Sequence, residues 1–313
     1  MIYTCTITPS IDYTVYLPEF HVGELNRADE VNYYPGGKGI NVSRVLKRLE
    51  ADNIALGFAG GFTGDFIKHF LKQEDVRTDF IDTTEVTRIN VKVKSDQESE
   101  LNGPGPNITK AQQQELLNKL TNISKGDWFI LAGSLPNTVP FSFYETIANM
   151  CRKKGVAFVL DTSGPNLKAL LETKPFLIKP NAEELGELFD TTITRKEEAL
   201  FYAGKLAKTG IEHVIVSLGG EGAILATRDQ TLIAGAPEGS VINTVGSGDS
   251  LVAGFVASYS ETGDVREAFR YGVASGSATA FLPDLCEKED VMEILPKVKL
   301  HTYTKGVESN ENH

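Results

Sequence analysis

The sequence is poor in features of secreted, membrane-bound and nucleic-acid-binding proteins. Among its 313 residues are only three cysteines, Cys5, Cys151 and Cys286, which are far apart and are expected to be reduced, buried thiols. The start, Met1–Ile7, lacks the basic region and long apolar stretch of a signal peptide, and no apolar run approaches membrane-spanning length. With 31 Lys and Arg against 42 Asp and Glu, the net charge is −11, which argues against nucleic-acid and anionic-membrane surfaces. We therefore expect a cytoplasmic protein with neither partner.

The remaining composition and patterning predict an α/β protein. The chain is 41% hydrophobic and long enough to bury a substantial core. Short apolar runs such as Trp128–Ala132 and Val214–Val216 have the pattern of fully buried parallel strands and alternate with helical segments. Thr109 with Gln112, and Thr194 with Glu197, predict capping boxes at two helix starts. This order predicts βαβ units in a doubly wound sheet, whose ligands bind beyond the carboxyl ends of the strands.

A second, smaller sheet is predicted where the pattern changes. Between residues 87 and 101, apolar side chains alternate with polar ones, which indicates an antiparallel strand with one solvated face. We group this strand with the short strands predicted within residues 13–34. The expected organisation is an α/β core of residues 1–12, 35–86 and 103–301, a discontinuous small sheet of residues 13–34 and 87–102, and a frayed tail of residues 302–313.

The stretch Asn243–Ser250 has the features of an anion-binding turn. Gly246-Ser247-Gly248 precedes the apolar run 251–258, and a glycine turn that opens a helix presents unpaired N–H groups at the positive end of the helix dipole. Asp249 lies in the same turn, where a simple phosphate-binding loop would not favour a negative charge. Donors beside a carboxylate suit a phosphoryl group and the hydroxyl that attacks it, with Asp249 accepting the proton. The alternative is an Asp that only stabilises the helix dipole.

A second glycine-rich motif, Gly36-Gly-Lys-Gly-Ile-Asn41, begins another predicted helix. Its glycines allow close approach of a ligand, Lys38 is a point charge suited to a phosphate, and Asn41 can donate to a hydroxyl. It is not a Walker loop, because Gly39 follows Lys38 where Ser or Thr is required. The alternative is a glycine-rich turn with a solvent-exposed lysine.

Together these two motifs, about two hundred residues apart, resemble the paired signatures of the PfkB (ribokinase-like) carbohydrate kinases. The resemblance covers residues 1 to about 285 and implies a ribokinase-like fold: a doubly wound, mostly parallel sheet flanked by helices, with a small β-sheet lid. Residues 34–44 and 102–106 most resemble bacterial members that act on fructose 1-phosphate. The other segments that carry the resemblance are residues 8–12, 87–90, 132–136, 179–184 and 217–222.

The resemblance also implies roles for individual residues. Asp249 would be the base, and Gly246, Ser247 and Gly248 the anion hole. The chain departs from the family pattern at Asn243, where Asp is usual, and at Ser247, where Ala is usual. Asp12 would hydrogen-bond sugar hydroxyls, although a simple turn Asp is its alternative. The other residues implied for the acceptor and its phosphate are Gly37, Lys38, Asn41, Arg88 and Asn90, with Ser134 and Arg27 as weaker candidates; Arg27 could equally be a solvated charge.

The nucleotide site is implied in two segments. Asn181 and Glu184 share a face at a helix start, where Glu184 could hold Mg²⁺ through water; an acidic solvent-exposed face is the alternative. Lys179 could bind phosphate or pair with a carboxylate, and both interpretations stay open. The residues expected to contact the nucleotide are Lys179, Asn181, Ser217, Leu218, Gly219, Gly220, Glu221, Gly222 and Gly248.

The expected activity is transfer of the γ-phosphoryl group of ATP, with Mg²⁺, to O6 of fructose 1-phosphate. Tagatose 6-phosphate and fructose 6-phosphate are the alternative acceptors, because sequence logic cannot orient a pseudo-symmetric furanose. A nucleoside or unphosphorylated sugar is disfavoured by Lys38 and Arg88. A non-catalytic sugar-phosphate sensor is disfavoured by the presence of Asp249. The resemblance also implies a homodimer that forms through the small sheet.

Overall fold

The computed structural model describes residues 1–136 and 138–303, which belong to two compact units, residues 1–173 and 174–313. Within the described residues, no helix has the length and apolar character needed to cross a membrane. The three cysteines are buried and none of them forms a disulfide within the described residues, as predicted. Each unit combines strands with helices packed on them, and each is described in turn.

The first unit has a parallel sheet in the strand order β10-β9-β1-β4-β5, with β6 also pairing with β4. Helices α1 and α2 pack on it around Ile40, Ile67 and Leu71. The strands are β1 (Ile2–Thr6), β4 (Asn53–Ala59), β5 (Arg77–Thr78), β6 (Ile81–Asp82), β9 (Trp128–Ala132) and β10 (Ala157–Asp161); the helices are α1 (Lys38–Arg48), α2 (Gly61–Gln73), α3 (Lys110–Lys119), α4 (Phe141–Lys154) and α5 (Gly164–Leu170).

The same unit carries a separate four-stranded sheet in the order β3-β2-β7-β8. Its strands are β2 (Ser10–Tyr16), β3 (Glu30–Gly36), β7 (Arg88–Lys94) and β8 (Glu98–Asn102). β7 pairs in parallel with β2 and antiparallel with β8, so the antiparallel prediction holds for only one of its edges. The sheet also starts earlier than predicted, at Ser10, because Ser10 already pairs with Gly36 of β3 and Arg88 of β7. Asp12 therefore lies within the small sheet.

The second unit has the strand order β15-β14-β13-β12-β11, in which β11 and β12 are parallel and the other neighbours antiparallel. The prediction did not include the antiparallel strands. The strands are β11 (Leu177–Ile178), β12 (His213–Ser217), β13 (Ala223–Ala226), β14 (Thr231–Ala234) and β15 (Leu300–Thr302); the helices are α6 (Ala182–Leu188), α7 (Lys196–Ala207), α8 (Ser247–Thr262), α9 (Val265–Ala280) and α10 (Lys288–Ile294).

Helix and chain ends differ from the prediction in two places. The capping box of Thr109 and Gln112 is confirmed, but that of Thr194 and Glu197 is wrong. Glu198 accepts from the main-chain N–H of Thr194, because the helix begins one residue later than expected. Thr302 is not part of a frayed tail, contrary to the prediction: it pairs with β14, and the N–H of Tyr303 donates to the carbonyl of Thr231 at 2.8 Å. The remainder of the predicted tail, residues 304–313, lies outside the described residues.

Helices α8 and α9 pack with their backbones unusually close together. A Cβ on Gly276 of α9 would lie 2.9 Å from the carbonyl oxygen of Ser247, and one on Gly272 would lie 2.8 Å from that of Leu251. Thr279 and Ser250 add a buried hydrogen bond of 2.7 Å between the two helices. The small residues of α9 therefore serve close helix packing. This packing fixes the first turn of α8, where Asp249 lies.

Gly276→Ala should lower the free energy of unfolding by about 1–3 kcal/mol, because the new methyl group would collide with the backbone of α8 and force the two helices apart. Gly204→Ala is the matched control, since Gly204 lies inside α7 with open space around its Cβ position. The control should be neutral or stabilising by about 0.5–1 kcal/mol, the ordinary helix-propensity gain. Urea unfolding of both variants checks this, and equal effects would contradict the packing argument.

Candidate functional site

In the first unit, four polar side chains on neighbouring strands of the small sheet form what we call the carboxylate cluster: Ser10, Asp12, Asn90 and Lys92. The strand register places Asp12 opposite Asn90 and Ser10 opposite Arg88. One carboxylate oxygen of Asp12 accepts from the Ser10 hydroxyl at 2.8 Å and from the Asn90 amide at 3.1 Å. The other lies 3.5 Å from the Lys92 ammonium. The carboxylate is thus held in one orientation by three donors.

Helix α1 begins tightly against the end of β1. Gly37 precedes it with φ of +116°, a conformation that favours glycine, and a Cβ there would lie 2.7 Å from the Thr6 methyl group. No side chain caps this helix start. The first turn therefore presents N–H groups where a ligand can approach the backbone, which is what the Gly36–Asn41 motif predicts.

Lys38, in the first turn of α1, has an ion-pair partner that the prediction did not include. Its ammonium lies 3.0 Å from a carboxylate oxygen of Asp161, which is only 1% exposed at the end of β10. The Lys38 side chain is 34% exposed, so it also reaches solvent. A lysine with this environment neutralises a buried carboxylate while part of its side chain stays accessible.

Arg88 is the first residue of β7 and lies beside the carboxylate cluster. Its buried Nε has no hydrogen-bond partner among the described residues. Burial lowers the pKa of Arg88, while the nearby charge of Asp12 acts in the opposite direction. Because a buried unpaired donor is costly, this guanidinium is suited to an anionic ligand.

The other residues predicted to bind the sugar phosphate are Asn41, Ser134 and Arg27, which lie on three different segments of the first unit. Asn41 is on α1, and its N–H donates to Gly37 at 3.0 Å. Ser134 is exposed just after β9, and its neighbour Gly133 approaches the main-chain nitrogen of Lys38, with the Cβ position 3.8 Å away. Arg27 lies exposed in the link between β2 and β3, and no hydrogen bond or ion pair within the described chain joins it to the cluster.

In the second unit, residues 246–249 form what we call the anion turn. Gly246 precedes α8 with φ of +81°, and no side chain caps the helix. The N–H of Ser247 donates to the Thr244 carbonyl at 3.2 Å, so it is already engaged. The N–H groups of Gly246 and Gly248 have no main-chain acceptor within the described residues. The buried hydroxyl of Ser247 likewise has no hydrogen-bond partner there, so this side chain contributes the donor that its own N–H does not.

Two charged side chains accompany the anion turn. Asp249 is buried in the first turn of α8. Lys179 is also buried, and a Cβ on Gly248 would lie 3.0 Å from its ammonium nitrogen. The turn therefore combines a lysine, main-chain donors and the positive end of a helix with one carboxylate. Such an arrangement can hold an anion and accept a proton in the same place.

Asn243 stabilises the approach to the turn. Its amide nitrogen donates to the Pro283 carbonyl at 3.2 Å, and its amide oxygen accepts from the N–H of Val245 at 3.1 Å. The N–H groups of Ile242 and Asn243 both donate to the Ala280 carbonyl. The residue that departs from the family pattern thus connects the turn to the end of α9.

Two segments predicted to contact a nucleotide come together in the second unit. Asn181 forms a bridge with Ser217, and both line a cavity of about 280 Å³ together with Leu218, Gly219 and Glu221. Gly222 has φ of +91° and closes the turn by accepting from the N–H of Leu218 at 2.8 Å. Arg195 and Lys196 also line this cavity, although no sequence motif singled them out.

Glu184 has a structural role at the start of α6. Its carboxylate accepts from the N–H of Asn181 at 2.9 Å, and the Asn181 side chain accepts from the N–H of Glu184 at 2.7 Å, a reciprocal capping box. Within the described residues, no group of three or more His, Cys, Asp or Glu side chains could hold a metal. These residues fit a cation that is held through water and a ligand's phosphates better than one that is caged by the protein.

Comparisons with known proteins agree with this architecture. Residues 6–289 match the family model described as pfkB family carbohydrate kinase. A 1-phosphofructokinase of Bacillus subtilis is 50% identical over 96% of this chain and 99% of its own length. A D-tagatose-1-phosphate kinase of Bacillus licheniformis is 40% identical over 90% of this chain and 93% of its own.

A solved structure gives the same picture for the fold. Phosphofructokinase-2 from Escherichia coli in complex with fructose-6-phosphate matches with a TM-score of 0.88 and 28% identity, over 94% of this chain and 98% of that one. The predicted fold class, a mostly parallel sheet with helices and a small additional sheet, is confirmed.

Proposed function

This chain belongs to the pfkB family of carbohydrate kinases, and we propose that it phosphorylates fructose 1-phosphate at O6, giving fructose 1,6-bisphosphate and ADP from ATP. The observation that carries this proposal is the similarity to the Bacillus subtilis 1-phosphofructokinase over almost the whole of both chains. The anion turn and the carboxylate cluster provide the chemical groups that such a reaction needs.

Asp249 is proposed as the base. A sugar hydroxyl has a high pKa, so its proton must be accepted as the new bond from O6 to the γ-phosphorus forms. The bond between that phosphorus and the bridging oxygen breaks, and ADP leaves with the bridging oxygen. Support comes from the burial of this carboxylate in the first turn of α8, within the anion turn.

The anion turn is proposed to stabilise the transferring phosphoryl group. The main-chain N–H groups of Gly246 and Gly248, the hydroxyl of Ser247 and the ammonium of Lys179 are its donors. The cavity lined by Asn181, residues 217–219 and Glu221 would receive the rest of the nucleotide, with Gly220 and Gly222 in the same turn. Mg²⁺ on the nucleotide phosphates would neutralise charge, with Glu184 contacting it through water.

The acceptor is proposed to bind at the small sheet and the start of α1. Asp12, Asn90, Gly37 and Asn41 would contact sugar hydroxyls, while Arg88 and Lys38 would hold the existing phosphate. Support comes from the Nε of Arg88, which has no hydrogen-bond partner among the described residues, and from the partial exposure of the Lys38 side chain. Ser134 is a secondary candidate, and Arg27 is the weakest, since it lies exposed in a link between strands. The small sheet would act as a lid that excludes water from the phosphoryl group.

Asp249→Asn should reduce kcat by about a thousandfold or more, with KM values for ATP and sugar phosphate near those of the wild type, because the amide cannot accept the proton. Asp264→Asn is the matched control: Asp264 caps the neighbouring helix α9 by accepting from the N–H groups of Arg266 and Glu267. The control should keep full activity, since Asn caps helices as well as Asp does. Steady-state kinetics measure both. Activity of the Asp249 variant within a few-fold of wild type would exclude the base role.

Tagatose 1-phosphate is a second candidate acceptor. The Bacillus licheniformis relative named for this substrate is 40% identical over 90% of this chain. Tagatose 1-phosphate carries its phosphate at the same position as fructose 1-phosphate, and only the sugar differs. The two acceptors carry the same functional groups, and no charged contact of the carboxylate cluster distinguishes them. Fructose 6-phosphate and tagatose 6-phosphate remain less favoured alternatives.

A coupled assay that detects ADP release should give the highest kcat/KM with fructose 1-phosphate. Tagatose 1-phosphate should follow, and both 6-phosphates should be lower, because their phosphate would lie at the opposite end of the sugar. The ratio of kcat/KM for fructose 1-phosphate to that for unphosphorylated fructose measures how much the phosphate contacts contribute. A preference for a 6-phosphate would overturn the proposed acceptor but not the phosphoryl-transfer chemistry.

We also propose that the protein is a homodimer and works in the cytoplasm. One face of the small sheet bears the exposed apolar side chains of Val31, Tyr33, Ile89 and Leu101, which the strand pairing places on one side. Contiguous exposed apolar surface of this kind is typical of protein contacts. Buried cysteines that form no disulfide within the described residues suit a reducing compartment.

Leu101→Glu should convert the dimer to a monomer, because it places a charge within the proposed interface, on the edge strand β8. Phe201→Glu is the control: Phe201 is 54% exposed, comparable with 60% for Leu101, but belongs to helix α7 and not to the small sheet. Sedimentation velocity should show twice the chain mass for the wild type and the control, and the chain mass for Leu101→Glu. A wild-type monomer would reject the dimer.

A further inference from the structure

Lys92 is the member of the carboxylate cluster that neither a sequence motif nor the proposed mechanism uses. It lies on β7, where Arg88, Asn90 and Lys92 alternate with Ile89 and Val91 and therefore project from one face. Its side chain is only 12% exposed, which is low for a lysine. A lysine buried to this degree needs a compensating partner.

Each of the two strands beside Lys92 carries a carboxylate, Glu100 on β8 and Asp12 on β2, and Lys92 pairs with the more buried Asp12. Glu100 lies opposite it on the adjacent strand β8 and is exposed. Lys92 instead contacts Asp12 across the other neighbour, β2, at 3.5 Å. Two residues further along β7, Lys94 pairs with Glu98, the surface arrangement expected of such a strand. Unlike Lys94, Lys92 does not pair with the exposed glutamate of β8, which indicates that its role is to compensate the charge of Asp12.

The charges explain why Asp12 needs this partner. The proposed acceptor carries a phosphate of charge about −2, which Arg88 would hold beside the carboxylate of Asp12. Without Lys92, that phosphate would approach a carboxylate whose donors, Ser10 and Asn90, are both uncharged. With Lys92, Asp12 is neutralised and its second oxygen is fixed, so that it can accept from a sugar hydroxyl while Arg88 contacts the phosphate.

We propose that Lys92 is a positioning residue that makes Asp12 compatible with a phosphorylated acceptor, and so contributes to selection of sugar phosphates over unphosphorylated sugars. This inference rests on the proposed function, because it assumes that Asp12 contacts the acceptor. It predicts an effect on binding of the acceptor and none on the nucleotide or on proton removal.

Lys92→Met should raise KM for fructose 1-phosphate by about tenfold or more, the loss expected for one charged contact. The KM for ATP should be unchanged and kcat should stay within about threefold. Lys92→Arg keeps the charge and should restore most of the affinity. Lys94→Met removes the same charge from the same face of the strand and should behave as the wild type. An unchanged KM in Lys92→Met, or a parallel loss in Lys94→Met, would overturn the inference.

The double variant Asp12→Asn/Lys92→Met separates neutralisation of Asp12 from a direct contact with the phosphate. If Lys92 acts through Asp12, the double variant should bind fructose 1-phosphate no worse than Asp12→Asn alone. Penalties that multiply would show that Lys92 acts independently of Asp12, and the positioning role would fall. The double variant also removes the unpaired charge that could impair folding of Lys92→Met. A wild-type enzyme that uses no sugar phosphate would instead reject the proposed function itself, which distinguishes the two failures.

Discussion

A carboxylate can share a site with a phosphate only when its charge is compensated by fixed donors. Asp12 has two neutral donors and the Lys92 ammonium, and Asp161 has the ammonium of Lys38. Asp249 lies at the positive end of α8, in a turn that Lys179 also approaches. In each case the compensating group belongs to the same unit as the carboxylate. The charge balance is therefore built into each unit before any substrate binds.

This compensation depends on rigid elements rather than on loops. The strand register of the small sheet sets the distance between Asp12 and its donors on β7. The backbone of α8 packs closely against Gly276 of α9, where any larger side chain would displace the Ser247 carbonyl. This contact fixes the backbone of the first turn of α8 and therefore the direction of the N–H groups in the anion turn. Donors that do not reorganise during the reaction contribute most to stabilising developing charge.

The glycine motifs could be predicted from sequence because their physical requirement is local. Gly37 and Gly246 both have positive φ and both precede a helix without a side-chain cap, as their motifs implied. Lys92 and Asp161 could not be found in this way, since the partner of each lies 80 or more positions away and no spacing rule joins them. The only available signal was weak: Asp161 is a polar residue at the end of an apolar strand, and Lys92 continues the alternation of Arg88 and Asn90.

Asn243 shows why a departure from a family pattern must be judged by its contacts. Its side chain uses one donor and one acceptor, to Pro283 and from Val245, and a carboxylate could provide only the acceptor. An aspartate here would also face the Pro283 carbonyl, an unfavourable pair of oxygens. With Asn at this position, Asp249 is the only carboxylate between residues 243 and 250, so the donors of the turn have a single internal negative charge to compensate. The amide therefore keeps the geometry of the turn and leaves more of its positive potential for an incoming phosphoryl group.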